Sequence, residues 1–330
     1  MISRTRRIAV VALTNTLTVA VVLSAIEVFV RISCPQIQKL GTESRLAIDP
    51  YYGTSAALRP RTSGLSDGKL FATDQYGFWK YGSEPDTSKP GWLLIGDSVT
   101  MGIGVDPDST FGGRLAASVR SMAVLNSAWI GYTSADYLNI VGGILRRTKR
   151  DIPFRIRRVT LFWCLNDVYS RLDAGGDPGQ GVREIGGGVL SFLRSNRRAY
   201  QWLKATLTDR PRTYFFHDLP YYSPASNHFT SSLRDLDSIA LLCCLDSIAF
   251  EVVLLPYEYQ LRERERRPQQ IMTDSLSARG VRWIDLGEVK TFSQGESSRL
   301  FRYGDGIHFG AEGHRLVYEA IRATYRGELY

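Results

Sequence analysis

The chain contains the segment Gly91-Trp-Leu-Leu-Ile-Gly-Asp-Ser-Val-Thr100, in which a short apolar run leads into a serine. The run from Trp92 to Ile95 is bounded by glycines, a pattern typical of a buried β-strand. Gly96 can adopt backbone conformations that are closed to other residues, so the chain can turn sharply there. We therefore expect Ser98 just beyond the carboxyl end of a strand, where open α/β sheets place their ligand sites.

A base and an acid that could serve this serine lie far downstream, in Asp305-Gly-Ile-His308. A serine nucleophile needs a base to accept its hydroxyl proton and an acidic group to orient that base. The three-residue spacing allows a tight turn to bring the Asp305 carboxylate to the far ring nitrogen of His308. The sequence therefore predicts a catalytic triad of Ser98, His308 and Asp305.

Four short motifs occur in a fixed order from Asp74 to the C-terminus, and together they resemble the SGNH (GDSL-type) hydrolase family. They are Gly96-Asp97-Ser98, Gly131 within Asn126-Ser-Ala-Trp-Ile-Gly-Tyr-Thr133, Asn166-Asp167, and Asp305-Gly-Ile-His308. Two positions depart from the family pattern, because Val99 replaces a common leucine and Cys164 replaces a common glycine. The second departure puts a side chain close to Asn166.

The resemblance implies both a fold and an oxyanion hole. The implied fold is a flavodoxin-like three-layer α/β fold with a central parallel five-stranded sheet. The implied oxyanion donors are the backbone N–H groups of Ser98 and Gly131 and the side-chain amide of Asn166. Donors aimed at the developing negative charge stabilise the tetrahedral intermediate.

Alternating strand and helix patterns support the same architecture, since they favour a parallel sheet with right-handed crossovers. Apolar runs predict strands near residues 92–95, 122–125, 159–164, 249–255 and 280–286. Periodic apolar residues predict helices near residues 110–120, 135–148, 189–207, 233–245, 268–279 and 311–325.

The N-terminus carries an almost wholly apolar segment from Ile8 to Ile26, preceded by three arginines. About 20 apolar residues suffice for a transmembrane helix, and the arginines are expected to stay on the cytoplasmic side. Ser24-Ala-Ile-Glu27 is a poor signal-peptidase site, so the pattern favours an uncleaved anchor. A cleaved signal peptide and a buried soluble helix are the alternatives.

These features divide the chain into three parts. Residues 1–31 form a cytoplasmic tip and a transmembrane signal-anchor, residues 32–73 a linker and extended arm, and residues 74–330 the hydrolase domain. An insertion is expected at about 171–229, of which residues 208–229 look loop-like. Its aromatic residues either line a substrate groove or pack in the core: Tyr214, Phe215, Phe216, Tyr221 and Tyr222.

The charge and the cysteines limit which ligands the chain is expected to bind. The formal net charge is +8, but the arginines are scattered among acids and no nucleic-acid motif accompanies them. The four cysteines lack metal-ligand spacing and are expected to be free thiols. We expect neither a metal nor a cofactor, because the triad chemistry needs none. Of the remaining histidines, His314 is expected to be structural, and His217 and His228 have no evident partners.

The leading hypothesis is a membrane-anchored esterase outside the cytoplasm. It would remove acyl groups, with acetyl as one candidate, from a carbohydrate or a small ester. An O-acyltransferase that uses the same Ser98 with a glycan acceptor is an alternative, because both reactions share the acyl-enzyme step. A non-catalytic glycan-binding or scaffold domain is a third possibility from a different class.

Overall fold

The computed structural model describes residues 4–35, 37, 40–169, 198–293 and 296–327. The strands are β1 (Ala47–Tyr52), β2 (Ser55–Leu58), β3 (Ser63–Ser66), β4 (Lys69–Ala72), β5 (Gly91–Gly96), β6 (Ala123–Asn126), β7 (Ile156–Trp163), β8 (Ala249–Leu254) and β9 (Arg282–Asp285). The helices are α1 (Arg4–Ser33), α2 (Ser98–Met101), α3 (Phe111–Ser118), α4 (Ser134–Arg147), α5 (Arg198–Leu207), α6 (Arg210–Asp218), α7 (Asn227–Leu245), α8 (Glu258–Glu263), α9 (Arg267–Ala278), α10 (Lys290–Ser293) and α11 (Ala311–Thr324).

Strands β5 to β9 form one five-stranded sheet in the order β6-β5-β7-β8-β9. All neighbouring pairs are parallel, and Leu93 of β5 lies opposite Leu125 of β6 and Val159 of β7. Strand β5 comes first in sequence among these five but lies second in the sheet. This is the flavodoxin-like order, in which the strand order reverses beside β5. The predicted fold class is confirmed, and all five predicted strands are present.

Helices cover both faces of the sheet, which explains why β5 is apolar throughout. Every residue of β5 is buried, because a parallel sheet between two helical layers has no solvent-facing side. Helix α4 contributes one apolar face to this core. The residues of this face recur at helical spacing and are all buried: Tyr137, Ile140, Val141, Ile144 and Leu145.

Residues 47–72, expected to be part of an extended arm, form two antiparallel hairpins, β1–β2 and β3–β4. Tyr52 packs into the main core, and Phe71 packs with Trp79 in a second apolar cluster. The hydroxyl of Ser55 donates to the buried Asp136 at 2.6 Å. None of these four strands contains an apolar run of four residues, and packing against the domain supplies the order that local propensity does not.

The described part of the expected insertion is helical. Residues 170–197 lie outside the described residues, together with the first part of the helix expected over 189–207. Residues 208–229, expected as loop, contain α6 instead. Pro211 lies in the first turn of that helix, where no N–H is needed, so this proline marks a helix start. Phe215 and Tyr222 are buried, which fits the core-packing interpretation for these two rings.

Helix α1 precedes the domain and is exposed along most of its length. Within its segment Arg6–Ser33, the most apolar stretch of 18 residues has a mean hydropathy of 2.1, and none of that stretch is buried by the rest of the protein. Its length and composition suffice to cross a membrane. A signal sequence at the N-terminus has the same properties.

Candidate active site

Ser98 lies at the turn between β5 and α2, where the chain leaves the carboxyl edge of the sheet. A Cβ on Gly96 would lie only 2.0 Å from Thr100 Oγ1, so the turn has no room for a larger residue. Asp97 caps α2, and its Oδ1 accepts a hydrogen bond from the backbone N–H of Val99 at 2.8 Å. The side chain of Asp97 therefore braces the turn that presents Ser98.

The structure brings Ser98, His308 and Asp305 together, as predicted. Ser98 Oγ lies 2.8 Å from His308 Nε2. On the other side of the ring, His308 Nδ1 lies 2.9 Å from each carboxylate oxygen of Asp305. With the proton on Nδ1 directed at Asp305, Nε2 is left as an acceptor for the serine proton.

Asp305 is held as an anion. Burial alone would raise the pKa of its carboxyl, but the charge and hydrogen bond of His308, assisted by Arg302, hold that pKa well below its usual range. Its Oδ1 also accepts the backbone N–H groups of Ile307 and His308, both at 3.0 Å. The tight turn expected from the three-residue spacing is therefore present, and the carboxylate can stabilise a charged imidazole.

The loop that carries these two residues is packed against α5 and α6. Gly304 and Gly306 both have positive φ, 64° and 84°. A Cβ on Gly304 would lie 2.3 Å from Ala205, and a Cβ on Gly306 would lie 2.4 Å from Pro211. Glycine is required on both grounds, because α5 and α6 pack directly against this loop.

The three expected oxyanion residues lie just after three neighbouring strands: Ser98 after β5, Gly131 after β6 and Asn166 after β7. Asn166 lies in the 3₁₀ turn after β7, and its Nδ2 is 3.4 Å from Asp97 Oδ2, which also lies 3.3 Å from Ser98 Oγ. Gly131 lies in the turn after β6, with a φ of 75°. Asn166 is thus joined to Ser98 through Asp97. In the part of the chain that the structure describes, no hydrogen bond joins Gly131 to the triad.

The family of the chain follows from its sequence match. A model of the GDSL-like Lipase/Acylhydrolase family matches residues 94–316, well over half of the chain, and the matched region includes Ser98 and His308. The chain belongs to this family. It is accordingly a hydrolase that acts on ester bonds. No curated protein matches the sequence.

Solved structures of hydrolases resemble this GDSL-like hydrolase at low sequence identity. A lipase/acylhydrolase from Enterococcus faecalis is 17% identical with a TM-score of 0.42, over 73% of this chain and 97% of that chain. The esterase EstA from Pseudoalteromonas sp. is 11% identical with a TM-score of 0.43, over 72% and 97%. The lipase Lip_vut3 from a goat rumen metagenome is 12% identical with a TM-score of 0.43, over 73% and 100%.

Sequence reasoning missed a group of polar residues behind Asn166. The Tyr257 hydroxyl lies 3.3 Å from Asn166 Oδ1 and 2.6 Å from Asp218 Oδ2. Asp218 is buried and also accepts from Tyr169, whose hydroxyl lies 2.7 Å from His217 Nδ1. His217 therefore has partners, contrary to expectation. Tyr257 follows β8 at the site edge and could have been suspected, whereas nothing marked Asp218 in the insertion.

Tyr257 orients the Asn166 amide. Burial, followed by the charge of Asp218, raises the pKa of Tyr257 well above its usual value, so the hydroxyl keeps its proton. That single proton is directed mainly at the Asp218 carboxylate, 2.6 Å away, and makes only a long second contact with the Asn166 amide oxygen at 3.3 Å. An amide whose oxygen faces this hydroxyl has its nitrogen turned toward Asp97 and Ser98, as an oxyanion donor requires.

Replacing Tyr257 by phenylalanine is expected to lower kcat about fivefold with KM within about twofold. One buried hydrogen bond is worth about 1 kcal/mol net, and 1.4 kcal/mol is tenfold in rate. Steady-state hydrolysis of an aryl acetate measures both constants. The control is Tyr52→Phe, which removes a hydroxyl bonded to Arg147 at 2.9 Å and not to the site. An equal fall in both variants would show that Tyr257 acts only on stability.

The remaining titratable candidates have structural surroundings. His314 is fully buried, and its Nδ1 accepts from the backbone N–H of Phe111 at 3.3 Å. Burial, then the nearby Arg114 and His308, lower the pKa of His314 to about 3, so it is neutral at ordinary pH. Asp167 accepts from the backbone N–H of Cys164 at 2.8 Å. Within the ranges that the structure describes, no group of three or more His, Cys, Asp or Glu residues could hold a metal.

Proposed function

We propose that the chain is a serine esterase in which Ser98 is the nucleophile, His308 the general base and Asp305 the residue that orients His308. The observation that carries this proposal is the 2.8 Å contact of Ser98 Oγ with His308 Nε2, with Asp305 on the opposite ring nitrogen. His308 takes the serine proton as Ser98 attacks the ester carbonyl. The same proton then goes to the leaving alcohol.

The tetrahedral intermediate needs donors for its negative oxygen. We assign this role to the backbone N–H groups of Ser98 and Gly131 and to the Asn166 side chain. The position of Asn166 beside Asp97 and Ser98 supports its part in this assignment. Water then attacks the acyl-enzyme with His308 again as the base, and the acid is released.

The compartment and substrate follow from the N-terminal helix. We propose that residues 1–31 anchor the chain and that the arginines before Ile8 stay in the cytoplasm. The hydrolase domain would then lie outside the cytoplasmic membrane, with the insertion at about 171–229 beside its site. Acylated carbohydrates and small esters, with acetyl as one acyl group, are the substrates expected there.

Labelling with a fluorophosphonate probe tests the proposed nucleophile. The serine oxygen displaces fluoride from phosphorus, so the full chain in detergent should gain one covalent adduct and lose hydrolysis of an aryl acetate. Peptide mass spectrometry should place the adduct on Ser98. An adduct at another serine with activity lost in parallel would overturn the assignment. In the unlabelled enzyme, faster aryl release with an acylated product when a sugar acceptor is added would instead identify a transferase.

A further inference from the structure

Helix α5 is fixed to the end of α1. Both carboxylate oxygens of Glu27 accept backbone N–H groups from the first turn of α5, Arg198 at 3.2 Å and Ala199 at 2.9 Å. Glu27 is only 5% exposed, and Arg31 binds it at 2.7 Å. Glu27 directly follows the apolar run that ends at Ile26, so α5 begins beside the end of that run.

Helix α5 exposes an apolar face. None of its residues is buried, and Leu203 and Leu207 are 48% and 72% exposed. They are four residues apart, so they lie on the same face of the helix. Trp202 lies beside them, and the helix contains Lys204 but no acidic residue. Exposed leucines with an aromatic and a basic residue are the composition of helices that lie in the membrane interface.

The same helix borders the triad loop. Ala205 packs against Gly304, and Pro211, just after α5, packs against Gly306. Asp305 lies between these glycines. A series of contacts thus connects α1, through Glu27, to α5. Helix α5 in turn contacts the loop that carries Asp305 and His308.

We propose that α5 lies on the surface of the bilayer and that the active site takes ester substrates carried by membrane-embedded molecules, such as acyl lipids or lipid-linked glycans. This inference rests on the proposed function and on α1 acting as an anchor. A bilayer is favoured over a protein partner because Glu27 holds α5 to a helix that is long and apolar enough to cross a membrane. Basic residues of α5 and α6 also complement anionic headgroups: Arg198, Lys204 and Arg212.

The position of α5 can be measured directly in vesicles that contain the full chain. Brominated lipids quench tryptophans at the interface, so quenching should be clear in the unchanged chain and should fall by at least half in Trp202→Phe. The matched control is Trp283→Phe, which removes a half-buried tryptophan from β9 and should leave the quenching unchanged. Equal quenching in the unchanged chain and Trp202→Phe would overturn the proposed seating of α5.

The substrate class is tested with the double variant Leu203→Glu/Leu207→Glu. The vesicles are a 3:1 mixture of phosphatidylcholine and phosphatidylglycerol, and the two substrates are a long-chain fluorogenic ester embedded in them and a soluble aryl acetate. The variant should lose at least tenfold on the embedded ester and stay within twofold on the soluble one. The control Leu241→Glu/Leu245→Glu changes two leucines of α7 that are 60% and 73% exposed, and it should affect neither substrate.

The outcomes separate this inference from the proposed function. Hydrolysis of the soluble ester without hydrolysis of the embedded ester would overturn the inference and leave the esterase assignment intact. An equal loss on both substrates in the α5 variant would also overturn the inference, because the helix would then act on the site and not on the membrane. An unchanged chain that hydrolyses neither ester would overturn both.

Discussion

Ser98→Ala is expected to reduce kcat for aryl ester hydrolysis by about 10⁴-fold to 10⁶-fold, the range seen when the nucleophile of a serine triad is removed. Alanine leaves His308 without the hydroxyl that lies 2.8 Å from its Nε2. The variant should fold, because Ser98 Oγ bonds only within the site and the smaller side chain fits the turn. Steady-state kinetics on the full chain, with circular dichroism as the check on folding, measures both effects.

The matched control is Ser127→Ala. Ser127 is also a buried serine at the carboxyl edge of the sheet, just after β6, and its hydroxyl lies 3.4 Å from the Leu94 carbonyl. It should keep kcat within about twofold. The double variant Ser98→Ala/His308→Ala should be no slower than Ser98→Ala alone, since triad members act as a unit. Full activity in a folded Ser98→Ala chain would contradict the assignment of Ser98 as the nucleophile.

The sheet and the turn from Asp305 to His308 could be predicted because their signals are local. Buried parallel strands are rich in consecutive apolar residues, as in the runs 92–95 and 252–255. The Asp305–His308 spacing is likewise a single turn. Within each strand and within this turn, the residues that decide the structure are neighbours in sequence. The pairing of the turn with Ser98, 210 residues away, was expected from the base and the acid that a serine nucleophile needs.

The elements that could not be predicted depend on contacts between distant segments. The hairpins of residues 47–72 gain their order from the core cluster around Phe71 and Trp79. Asp218 and Tyr257 meet Asn166 only after α6 and β8 have docked on the domain. Short segments with few apolar residues carry no period, and a polar pair has no sequence pattern at all.

The position of the site follows from the strand order. Ser98 follows β5 and Asn166 follows β7, its neighbour on one side, while Gly131 follows β6, its neighbour on the other. The connection after β5 leads to β6 on one side of it, and the connection after β6 leads to β7 on the other side. These two connections leave in opposite directions, which opens a crevice at the carboxyl edge of the sheet. Residues separated widely in sequence are thereby directed to one place.

Asn166→Ala is expected to lower kcat by about 10²-fold to 10³-fold, the usual cost of losing one oxyanion donor. KM should change little, because the amide binds the developing oxyanion more strongly than the ground-state carbonyl. Folding should be preserved, since the hydrogen bonds of this amide to Asp97 and Tyr257 are long, at 3.4 and 3.3 Å. Kinetics with an aryl acetate and the thermal unfolding midpoint measure the two effects.

Asn139→Ala is the matched control for this change. Asn139 lies on α4, and its amide donates to Ser55 at 3.0 Å, so its loss removes an amide hydrogen bond away from the triad. If Asn166 is an oxyanion donor, adding Tyr257→Phe to Asn166→Ala should lower kcat no further, because Tyr257 acts only through that amide. A further fivefold loss in the double variant would show that Tyr257 acts on the reaction independently. A folded Asn166→Ala chain with unchanged kcat would remove Asn166 from the oxyanion hole.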